Sequence, residues 1–124
     1  KDTGTPEDIL NANRQVLEHV CNHRSFRDEV IFTRHRNWIE PSIIGKNCKI
    51  DESATIGPNA SVGDNTVISS DVVIENSIIM SDCKIDGGLN IKDSIISANC
   101  HLHGNNKDKT KKIFLLGEGT KISL

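Results

Sequence analysis

The chain is 124 residues long with a formal net charge of -2 at pH 7 and a pI of about 6.2, enough for one domain with an appendage. That balance gives no electrostatic case for nucleic acid or an anionic membrane, and no apolar run approaches the roughly 20 residues of a membrane-spanning helix. Aromatic residues are only 3% of the sequence while isoleucine is abundant, so the core must be made of branched aliphatics, which favours β structure.

The chain begins at Lys1 with no signal-peptide pattern and reads as a piece of a longer protein. In "TPEDILNANRQVLEHV", Thr5 is placed to cap a helix, Pro6 suits its first position, and Glu7 and Asp8 suit its first turn. The helix is predicted over Pro6 to about Cys21, and Ile9, Ala12, Val16 and Val20, with Leu17 beside them, form an apolar stripe that must pack on something. From Asn22 to Glu40 the chain carries Arg24, Arg27, Arg34 and Arg36 with His23 and His35. This stretch is predicted to be an irregular connection with one short strand near Val30–Thr33.

A six-residue period follows. Ile44, Ile50, Ile56, Val62, Ile68 and Ile74 are each six apart, and the series runs on through Ile79, Ile85, Ile91, Ile96 and Leu102 with one residue dropped before Ile79 and one before Ile96. Two positions before each anchor stand mostly small residues: Ser42, Cys48, Ala54, Ala60, Thr66, Val72, Ser77, Cys83, Leu89, Ser94 and Cys100. Two inward side chains followed by a turn bearing Gly, Asp or Asn make one side of a prism, and three sides close a coil. Stacked coils hydrogen-bond at about 4.8 Å and bury a core that none could bury alone. In "ATIGPNASVGDN" the small residue and the aliphatic thus face inward, with glycine or aspartate making the turn. The expected fold is all-β, a parallel β-helix of about four coils preceded by one α-helix, with residues 1–38 as helix and connection and 39–124 as the β-helix. The period breaks at "GNNKDKTKK", a solvated excursion, and Leu116 and Ile122 restore it.

The outward positions differ between the sides. Two sides show Lys49, Val67, Lys84 and His101, and Thr55, Val73 and Asn90, which can face water. The third shows Ile43, Ser61, Ile78 and Ile95, with Met80 at the turn. Such an apolar strip calls for a cover, either the helix or another subunit. Cys48, Cys83 and Cys100 fall on one interior column with Thr66 and are packing residues, expected to stay reduced. Cys21, at the helix end, is expected to be the most reactive in the native state.

The opening "KDTGTPEDILNANRQVL" resembles the end of the catalytic domain in sugar-1-phosphate nucleotidyltransferases, where a D-T-G stretch precedes a helix. The closing "KIFLLGEGTKISL" is similar to the ending of long forms of the glucose-1-phosphate thymidylyltransferase-like members, which carry a hexapeptide-repeat tail. The resemblance implies a left-handed winding. It also implies a cytoplasmic parent enzyme in which a sugar phosphate attacks the α-phosphorus of a nucleoside triphosphate and releases pyrophosphate. It would give Asp2 a share in holding Mg2+. The glycine-rich G-x-G-T-R stretch that cradles the triphosphate is absent from this sequence. The chain alone is therefore expected to be inactive and to serve assembly, stability or regulation, with its own upstream catalytic domain as partner and a homotrimer or dimer as assembly. Two rival readings use His101 and His103: as general base of a hexapeptide-repeat acyltransferase, or, since "HLH" sets both on one side of a strand, as ligands of a metal-binding β-helix.

Overall fold

A computed structural model describes residues 4–22 and 35–124. The strand expected near Val30–Thr33, and with it His23, Arg24, Arg27 and Arg34, lies outside the described residues. Helix α1 spans Pro6–Asn22. Its start follows from the cap: the Asp8 N–H donates to Thr5 Oγ1 at 3.1 Å, satisfying one of the donors that a helix leaves open at its N-terminus.

Among the described residues, fourteen short strands then wind into three parallel sheets. The first sheet holds β1 (Ser42–Ile44), β4 (Ala60–Val62), β7 (Ser77–Ile79), β10 (Ile95–Ile96) and β13 (Leu115–Leu116). The second holds β2 (Lys49–Ile50), β5 (Val67–Ile68), β8 (Lys84–Asp86), β11 (His101–His103) and β14 (Lys121–Ser123). The third holds β3 (Thr55–Ile56), β6 (Val73–Glu75), β9 (Asn90–Lys92) and β12 (Lys111–Lys112). Consecutive strands always belong to different sheets, the mark of a solenoid with three-sided turns. Four coils are complete and a fifth contributes two sides, so the stack is slightly longer than the period alone predicts.

Register confirms which residues face in. Ile44 stands on Val62, Val62 on Ile79, Ile79 on Ile96 and Ile96 on Leu116. The spacing shortens at the two places where the sequence drops a residue and lengthens where the polar excursion enters. The anchors from Ile56 to Leu102 are almost wholly buried in one continuous cluster. Burying an aliphatic side chain of this size stabilises by about 1.5–3 kcal/mol. On the third sheet the apolar column ends at Lys112, which stands on Ile91, and Phe114 fills the last corner of the core. At the other end Trp38 bridges to Ile56, and its indole N–H donates to the Ser42 carbonyl at 2.9 Å.

Asparagine and aspartate make most of the corners. Eight of them, among them Asn65, Asp71, Asp82 and Asn99, hold φ between 44° and 62°, the left-handed region that their short polar side chains tolerate. Of the two glycines in the repeat, Gly57 does turn the chain, with φ at 105°. Gly63 has a different reason: a Cβ there would sit 2.5 Å from the Ser81 nitrogen of the next coil, so close approach between coils requires glycine.

Small inward polar residues satisfy the corner backbone. The Ser94 N–H donates to Ser77 Oγ at 3.0 Å and the Phe114 N–H to Ser94 Oγ at 2.8 Å. Cys48, Cys83 and Cys100 donate from Sγ to the carbonyls of Gly63, Ser97 and Gly117, each at 3.2 Å, and the Thr66 hydroxyl does the same to Met80 at 3.2 Å. One column of thiols and a hydroxyl thus ties each coil to the next. All four cysteines are thiols, and burial pushes the Cys83 thiol up. Cys21 is buried at 8% exposure while Cys48 is half-buried, which runs against the expectation that Cys21 is the most reactive. A thiol reagent should find four thiols in denaturant and, in the native protein, modify Cys48 first. Native labelling of Cys83 or Cys100 at the rate of Cys48 would contradict this packing.

Helix α1 lies along β1, β4 and β7. It does so with a different face from the stripe expected from its sequence. Leu10, Leu17 and Cys21 are buried, whereas Ile9 and Val16 are exposed at 38% and 58%. The sheet beneath explains the choice: Ser61 donates from Oγ to Asn13 Oδ1 at 2.7 Å, and Arg14 Nη1 reaches Asn76 Oδ1 at 3.4 Å. The chosen face puts Asn13 and Arg14 over polar groups, with Leu10 and Leu17 on either side.

Candidate functional site

The surface of the prism offers two places where side chains of different chemistry converge. The first is the outer face of the first sheet. Ile43, Ser61 and Ile78 are half-buried on the strands that α1 crosses, and Ile95 is half-buried one coil further. Met80, at the turn, is 44% exposed. Between the helix and the sheet lies an open groove of about 570 Å3 lined by Leu10, Arg14, Asn76, Asp93, Ile113 and Leu115 among others. Asn76 bridges the groove, accepting from Arg14 and donating from Nδ2 to Asp93 Oδ1 at 2.6 Å. Sequence reasoning missed this network, because its members meet only once the docking face of α1 is fixed.

The second place is the outer face of the second sheet near its β14 edge. His101 stands between Lys84 and Lys121 in register, and His103 stands between Asp86 and Ser123. His103 Nδ1 pairs with the Asp86 carboxylate. Both histidines are exposed. Among the described residues no three His, Cys, Asp or Glu side chains gather as a metal site would need. A pair of lysines beside His101 disfavours a bound dication further.

The polar excursion after β11 is fastened rather than loose. Asp108 accepts from the Thr110 N–H at 3.0 Å, from the Thr110 hydroxyl at 2.6 Å and from Lys112 Nζ at 2.9 Å, which together hold its carboxyl well below the usual carboxylate range. Lys111 Nζ reaches Glu75 at 2.8 Å. Two of its four lysines, Lys111 and Lys112, are therefore engaged within the prism. In the turn after β2, the Ser53 hydroxyl and N–H similarly lower the Asp51 carboxyl.

Asp2, to which the family resemblance assigns a share in Mg2+ binding, lies outside the described residues. Among the described residues no helix is long and apolar enough to cross a membrane. Comparison with curated proteins returned no match. The family model of the GMPPB C-terminal domain matches residues 35–123, all the described coils together with the Trp38 bridge, and the chain belongs to that family of nucleotidyltransferase C-terminal domains.

Proposed function

We propose that this domain serves the assembly and stability of a cytoplasmic enzyme that makes nucleoside-diphosphate sugars from a sugar 1-phosphate and a nucleoside triphosphate. The chemistry, with its Mg2+, belongs to a catalytic domain upstream, and the β-helix is the frame on which that domain is mounted. The observation that carries this reading is the docking of α1. Seventeen residues of helix lie along three strands of one sheet, so a catalytic domain joined through this helix would be mounted on a docked element rather than on a free linker. Exposed Ile113, Leu115 and Met80 continue the same face, and a second copy of the domain is the partner proposed for that remainder, as dimer or trimer.

The test is an assay for pyrophosphate release from nucleoside triphosphates and sugar 1-phosphates. This chain alone should release none. The same chain joined to its upstream domain should be active, and more thermally stable than that domain without the β-helix. Turnover by the isolated chain would overturn the division of labour.

A further inference from the structure

On the third sheet Glu75 stands directly on Lys92, and Lys111 reaches the same carboxylate, so the cations there have an acidic partner. On the second sheet Lys84, His101 and Lys121 stand directly on one another across β8, β11 and β14. The two lysines flank the imidazole, and no carboxylate stands in this column, which runs Lys49, Val67, Lys84, His101, Lys121. The adjacent carboxylate, Asp86, is taken by His103. Among the described residues neither lysine makes an ion pair. These side chains, with Asp86, His103 and Ser123, line one shallow cavity of about 250 Å3.

We propose that this face binds a phosphate-class oxyanion between Lys84, His101 and Lys121. Two ammonium groups and an imidazole supply donors and charge without any group that must give up a partner. They span two strand spacings, about 10 Å, which suits a diphosphate better than a single phosphate. The groups facing His101 are Lys84 and Asp86 from β8, His103 on its own strand and Lys121 from β14.

The site is tested by titrating the full chain with inorganic pyrophosphate at constant ionic strength and pH, by calorimetry and by amide chemical shifts. Saturable binding is expected, with shifts centred on β8, β11 and β14. Lys84→Ala and Lys121→Ala should each weaken it at least fivefold. Lys49→Ala, two coils away on the same column, should not change it. His101→Ala should weaken it as well. All four side chains are exposed, and unchanged melting temperatures would show that folding is intact. Absence of saturable binding, an equal loss with Lys49→Ala, or binding of Zn2+ at His101 and His103 in place of pyrophosphate would overturn the proposal.

Discussion

Ile74→Ala should lower the unfolding free energy by about 3–4 kcal/mol, within the range for truncating a buried isoleucine, and the melting temperature by roughly 10–15 °C for a domain of this size. Ile74 is fully buried, with Ile56 below it and Ile91 above it on the third sheet. Its loss leaves a cavity in the middle of a stack whose coils touch only their neighbours, so collapse from the sides is restricted. In a solenoid the stability is close to a sum of neighbour interfaces, and a defect in a central coil weakens two of them. Ile122→Ala, at a half-buried position in the last coil, should cost about 1 kcal/mol because only one interface is affected. Comparable melts for the two variants would mean that burial along the column does not set the stability.

The period was legible because each coil repeats one steric problem. An aliphatic such as Ile68 must fill the centre, a small residue such as Thr66 must fill the corner, and Asn65 must turn the chain. Those demands fall on fixed positions, so spacing alone located the three sides, the two shortened coils and the interior column of Cys48, Cys83 and Cys100. What stayed hidden depends on meetings between distant segments. Gly63 looks like a turn residue in the sequence, yet its role is set by Ser81 in the next coil. Both candidate faces of α1 are apolar enough to dock, and the decision rests on Ser61 and Asn76, which nothing in the helix itself reveals. Cys21 was expected to be open for the same reason: its burial follows from the docked face. The stacked cations were visible as single outward residues, but the excess of positive charge appears only when β14 is laid on β11.

Ile78→Asp should destabilise the protein by about 2–4 kcal/mol, whereas Lys84→Asp should leave the melting temperature within a degree or two of the parent. Both residues sit at outward positions just before an anchor, so the sequence alone offers one reason to separate them, the apolar column. Ile78 lies between Ser61 and Ile95 on the sheet that α1 crosses and is half-buried there. A carboxylate at that position loses much of its hydration against apolar neighbours, a cost that ranks among the larger single-residue effects. The helix then separates from the sheet, and a helix of this length is marginal in water once detached, so the far-ultraviolet helical signal should fall with the stability. Lys84 is exposed and stands between Val67 and His101, so reversing its charge buries no carboxylate. Val16→Asp completes the comparison: Val16 belongs to the stripe first expected to dock but is exposed, so this variant should behave like Lys84→Asp. Sedimentation and thermal melts of the three variants decide the matter. Loss of an oligomer by Ile78→Asp with the helical signal unchanged would assign the face to a second subunit instead of α1, and equal behaviour of Ile78→Asp and Lys84→Asp would remove the argument that this face is covered at all.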